Sequence, residues 1–248
     1  MNEYGIHSVS GFAEPLSSWS HLIGAVVFAV LSLPLLRRAW HGSTDADAAG
    51  PVARVASIGV FCLTVVTLLA ISGVYHLLGF NTSGRWLLLR MDYAAIFLLI
   101  AGSYTPPCAI LMRGFSRIAA LAAIWGVTIA GITLKTIYLS HMSAWLGVVI
   151  YLGIGSFGLI GAYLLSRRCG PSFVEPLLLS VTAYIAGSAV QLAYRPELIP
   201  GFVGPHELFH VAVLIGIACH WRFVSQFADG SVEFVDSRQA LAVDRAAA

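Results

Sequence analysis

His206-Glu207-Leu208-Phe209-His210-Val211-Ala212-Val213-Leu214-Ile215-Gly216-Ile217 carries two messages. From Val211 onward the run is almost wholly apolar, as a membrane-spanning helix requires. At its head stand two histidines four residues apart, which a helix places one turn above each other on the same face. Such a pair can clamp a metal ion. The remaining ligands must come from elsewhere in the chain.

Composition agrees with the apolar reading. The chain has 248 residues, 58% hydrophobic and 10% charged. A soluble domain carries roughly 45–50% apolar and about 25% charged residues, so this is an integral membrane protein. A net charge of +2 gives no case for a nucleic-acid partner. Cys62, Cys108, Cys169 and Cys219 form no CxxC pair and read as small apolar packing residues. The first eighteen residues are polar and lack an apolar h-region, so no cleavable signal peptide is expected.

Apolar runs of spanning length occur seven times, at about 19–36, 55–78, 87–112, 118–138, 144–166, 175–194 and 206–227. No segments of about ten alternating residues mark a β-barrel. The expected fold is all-α: one seven-transmembrane helix bundle over 1–248, with a polar segment at about 1–18 and a loosely ordered polar tail at about 228–248. The 37–54 connection reads as a solvated loop through Ser43, Asp45, Asp47 and Pro51. Pro106-Pro107 removes two backbone donors and should kink or break the third helix. Gly126 with Ala130, and Gly158 with Ala162, suit close helix contact. Trp19, Trp40, Trp86, Trp145 and Trp221 fall at helix ends, where an interfacial belt is expected.

In an alternating bundle, the starts of odd helices and the ends of even ones share a side. Six of the eight histidines (His7, His21, His76, His141, His206 and His210) fall there, with Glu14, Ser17, Ser72, Asp92, Lys135 and Gln191. Ser72 and His76 lie one turn apart on helix 2, and Asp92 opens helix 3. A carboxylate in a membrane helix is costly, about 2.5–3.5 kcal/mol on insertion scales, and normally faces a partner inside the bundle. His76, His206 and His210 with one water make a tetrahedral Zn²⁺ site. Asp92 would offset the charge and hold the water, with Ser72 hydrogen-bonded to either. His21 is a further contact or a plain bundle residue. Glu14 and Ser17 either support the site or cap helix 1. His7, His41, His141 and His220 read as interfacial.

Glu14-x2-Ser17-x3-His21, Ser72-x3-His76 with Asp92-Tyr93, and His206-x3-His210 together resemble the three signature motifs of the progestin and adipoQ receptor family, and most of all its bacterial hemolysin III branch. Gly102-Ser103-Tyr104-Thr105-Pro106 is also similar to the family's third helix, whereas Ser17 stands where many relatives have Asn. The resemblance runs from about Glu14 to Phe227. It implies a zinc ion on His76, His206 and His210, with Asp92 and Ser72 around its water. It also implies an activity like that argued for the adiponectin receptors and alkaline ceramidases, zinc-dependent hydrolysis of lipid amides.

The expected function is therefore a zinc-dependent hydrolase of lipid amide or ester bonds, with Asp92 as the base, Ser72 orienting it, and membrane lipids as partners. Two other readings compete: a receptor or signalling protein with structural zinc, and an intramembrane protease using His206-Glu207-x2-His210 as an HExxH motif with Glu207 as base. A helix turns Glu207 about 100° from His206, and the helix 2 histidine and Asp92 fill the roles it would claim, so Glu207 reads as a bystander. No segment is amphipathic enough to line a wide pore. Lys and Arg divide four on the site side against ten on the other. The positive-inside rule then places the C-terminus in the cytoplasm of a cell that holds the protein in its inner (plasma) membrane. Resemblance to the adiponectin receptors implies the reverse orientation.

Overall fold

The computed structural model describes residues 13–42, 49–79, 82–138 and 144–232. Readings made on His7, Ser43, Asp45, Asp47, His141 and the tail beyond 232 lie outside the described residues. Among the described residues there are seven helices long and apolar enough to cross a membrane, and no strand. They are α1 (Pro15–Trp40), α2 (Pro51–Leu77), α3 (Arg85–Pro106), α4 (Gly114–Ile137), α5 (Ala144–Cys169), α6 (Pro171–Ala193) and α7 (Pro205–Ser225).

Several helices begin earlier than hydropathy alone places them, and proline is the reason. Pro15, Pro51, Pro171 and Pro205 each stand in the first turn. There a missing N–H costs nothing, and the fixed φ suits a helix. Only Gly170 separates α5 from α6, and its φ of 87° is a left-handed turn that suits glycine.

The main core joins α1, α2, α3 and α7. Phe28, Phe61 and Trp221 meet at its centre, with ring centroids 5.1 Å and 5.3 Å from Trp221. Trp221 is buried and is not a belt residue, while Trp19, Trp40, Trp86 and Trp145 are exposed. A second cluster, Phe97, Ala101, Ile124 and Ile154, links α3 to α4 and α5. The small-residue pairs divide. A Cβ on Gly126 would meet nothing within 4 Å, whereas one on Gly158 would come 2.8 Å from the Tyr104 hydroxyl. Gly158 thus makes room for Tyr104, which donates to the Gly155 carbonyl at 2.8 Å.

The Pro106-Pro107 step does not break α3. The chain passes into one π-helical turn, Pro107–Leu111. Pro107 cannot donate to the carbonyl four residues back, which is Ser103. His220 takes that role: its Nε2 lies 3.1 Å from the Ser103 oxygen. His220 is therefore a buried bundle residue and not an interfacial one. Membrane helices tolerate proline where a neighbour satisfies the freed carbonyl. Replacing His220 by Phe leaves that carbonyl unsatisfied and is expected to cost about 1–3 kcal/mol, read as a lowered unfolding midpoint in detergent.

The start of the C-terminal tail is docked. Phe227 and Ala228 are fully buried, and Asp229 pairs with Arg38 of α1 at 2.8 Å. Burial works against the charged form of Asp229, but Ser231 and Arg38 outweigh it and hold the carboxyl below the ordinary carboxylate range. At the same end, buried Arg54 donates to the Ala39 carbonyl at 2.8 Å and the Ala49 carbonyl at 2.6 Å, closing the α1–α2 connection.

Candidate metal centre

Two helix ends supply the imidazoles. His76 lies one residue before the end of α2, and His206 and His210 occupy the first two turns of α7. The α7 pair points inward because its helix start is fixed from both sides. Glu207 accepts a hydrogen bond from the Gly204 N–H at 3.1 Å, and its other oxygen accepts one from the Ser17 hydroxyl of α1 at 3.1 Å. Glu207 is buried, at 1% exposure. It clasps α1 to α7. Ser17 does not cap α1, since that helix has no side-chain cap.

Glu14 stands at the N-cap position of α1, but its side chain makes no cap hydrogen bond. Its backbone N–H donates to the His76 carbonyl at 3.1 Å, and its carboxylate accepts from His76 Nδ1. The other carboxylate oxygen accepts from Arg85 Nη2 at 3.3 Å. Because a carboxylate can only accept here, the His76 proton sits on Nδ1, which leaves the Nε2 lone pair facing inward. Arg85 is held in turn by the Tyr75 carbonyl at 3.1 Å, by the Leu78 carbonyl, and by the Tyr75 ring face at 4.4 Å. It gives the buried Glu14 carboxylate a positive partner.

The three Nε2 atoms converge. His206 to His76 is 3.4 Å and His210 to His206 is 3.0 Å, and the ligand atoms of all three lie within 4.8 Å of one another. Zn–N bonds of about 2.0–2.1 Å in a tetrahedron put neighbouring ligand nitrogens roughly 3.3–3.4 Å apart. Three facing imidazole nitrogens cannot satisfy each other as donors and acceptors when one of them must be an acceptor. The donor set therefore fits a metal ion better than a hydrogen-bond triangle. His21 is buried with its ring centroid 4.1 Å from that of His210, beside the cluster and outside the converging set.

Asp92 and Ser72 line the same cavity as His76, His206 and His210. That cavity has a volume of about 1960 Å³ and runs from Glu14 at one end to Arg113 and Arg168 at the other. Small-molecule sites usually occupy about 300–1,000 Å³, so this one has room for a chain-like ligand. Glu207 does not line it.

Arg85, counted in the sequence only among the four cations of the site side, and Lys135, placed on that side at the end of helix 4, prove to be part of the site's surroundings. Their signal was position: each is a cation at the membrane face that carries the acidic residues. Replacing Glu14 by Gln removes the charge that fixes the His76 ring. Metal affinity is expected to fall about 10- to 100-fold, as measured by competitive zinc titration of the purified protein.

A model of the haemolysin-III-related family matches residues 10–221, and the chain belongs to that family. It is 30% identical over 234 residues to heptahelical transmembrane protein 1 of Arabidopsis thaliana, covering 87% of this chain and 70% of that one. Heptahelical transmembrane protein ADIPOR2 of Oryza sativa subsp. japonica is 31% identical over 177 residues, 65% of this chain and 77% of its own. Hemolysin-3 of Bacillus cereus is 33% identical over 127 residues, half of this chain and 53% of its own.

Proposed function

We propose that this haemolysin-III-related membrane protein is a zinc-dependent hydrolase of lipid amide or ester bonds. The observation that carries the reading is the convergence of three imidazole nitrogens on a long, mostly apolar cavity that Asp92 also lines. His76, His206 and His210 would hold the ion. When bound there, Zn²⁺ supplies Lewis acidity, polarising a carbonyl and lowering the pKa of water towards about 7. Asp92 takes the proton from the attacking water and returns it to the departing amine or alkoxide. Ser72, which lines the cavity with Asp92, would orient the carboxylate. The apolar cavity wall orients the acyl chain, so that the linkage and not the chain end meets the polar cluster.

The Glu207 protease reading loses ground because both its oxygens are held away from the cavity, by Gly204 and Ser17. Purified protein with zinc and a panel of lipid amides and esters should release fatty acid, and a chelator should stop it. Zinc retained with no turnover on any member of the panel would favour a receptor with structural zinc. For orientation, the excess of Arg on the side opposite the site supports a cytoplasmic C-terminus in the cell's inner membrane. A C-terminal reporter active only outside the cytoplasm would reverse it.

A further inference from the structure

The outer helix α4 is lipid-facing over most of its length. Only Ile124, Thr128 and Lys135 are buried on it. Steps of four and seven residues put these three on one face of a helix, so Lys135 occupies the inward stripe and cannot be read as a snorkelling surface residue. It is 5% exposed and lines the cavity. Its ammonium lies 4.3 Å from the centre of the Tyr93 ring, next in sequence to Asp92. Gly147 of α5 faces it: a Cβ there would come 3.3 Å from Lys135 Nζ, so the missing side chain leaves space at the ammonium.

No described carboxylate forms an ion pair with Lys135. Of the acidic groups at this end, Glu14 is engaged by His76 and Arg85, and Asp92 forms no ion pair with Lys135. A buried cation is costly unless it is paired. Tyr93 supplies a ring face but no counter-charge.

We infer that Lys135 is the anchor for an anionic group, phosphate or carboxylate, on the amphiphile that the cavity takes. The inference rests on reading the cavity as a lipid site. It makes the site selective for amphiphiles negatively charged near the linkage, over neutral ones of the same chain length.

The test is equilibrium binding of dodecyl phosphate, dodecanoate and dodecanol to the full chain in nanodiscs of zwitterionic lipid, with zinc and with chelator. Wild type should bind the better of the two anions at least about tenfold more tightly than dodecanol, and which anion wins separates phosphate from carboxylate. Lys135→Met should abolish that preference while dodecanol affinity and zinc content stay unchanged, and Lys135→Arg should keep it. The assignment is overturned if Lys135→Met retains the preference, if Arg168→Gln removes it instead, or if chelation alone removes it. Dodecanol bound with no anion preference sinks this inference only. No amphiphile bound at all sinks the lipid reading with it.

Discussion

His206→Ala and His210→Ala are each expected to leave the purified protein without bound zinc, and the unaltered chain is expected to carry one ion. Each change removes one of three converging nitrogens. The two that remain, with water, hold an ion far more weakly, and a loss of about two orders of magnitude in affinity or more follows from the size of structural zinc binding energies. His76→Ala should do the same and also leave the Glu14–Arg85 pair without its imidazole. Elemental analysis of detergent-purified protein reads this directly. His41→Ala, at an exposed position, is the control and should keep full zinc. Full zinc content in His206→Ala or His210→Ala would sink the ligand assignment.

Asp92→Asn separates chemistry from metal binding. Asparagine keeps the shape of the side chain, but it cannot take a proton. Turnover per bound zinc is expected to fall about 10²- to 10⁴-fold, the usual worth of a positioned general base, with zinc content near that of the parent. Glu207→Gln should behave in the opposite way. It weakens the clasp between α1 and α7 and so lowers stability, while turnover per folded molecule persists. Fatty acid release normalised to zinc, alongside a thermal unfolding midpoint, distinguishes the two. Undiminished turnover in Asp92→Asn would remove it from the role of base.

Much of the architecture was readable without coordinates. Seven apolar runs, each of spanning length, became seven helices, because in a bilayer a backbone that cannot bond to water must bond to itself. The ends were read less well, since hydropathy says nothing of where Pro15 or Pro171 lets a helix start. His220 and Trp221 were placed at the interface on their position near a helix end. In the fold, the proline-freed Ser103 carbonyl draws one inward, and the rings of Phe28 and Phe61 draw in the other.

The grouping of His76, His206 and His210 followed from spacing and alternation: i,i+4 on one helix fixes a shared face, and the parity of spans fixes a shared depth. Which partner each side chain chooses was settled only by the packing of helices far apart in sequence. Glu14 could cap its own helix or reach His76; Arg85, brought beside it from the start of α3, decides for the second. Glu207 could face a metal or the protein; the Ser17 hydroxyl, 190 residues away in the chain, holds it to the protein. Lys135 was one of fourteen cations until α4 packed with its ammonium beside the Tyr93 ring. Local apolarity sums along the chain and is legible there. A buried charge is settled by whatever counter-group the fold brings within a few ångströms, and that is a property of the assembled bundle.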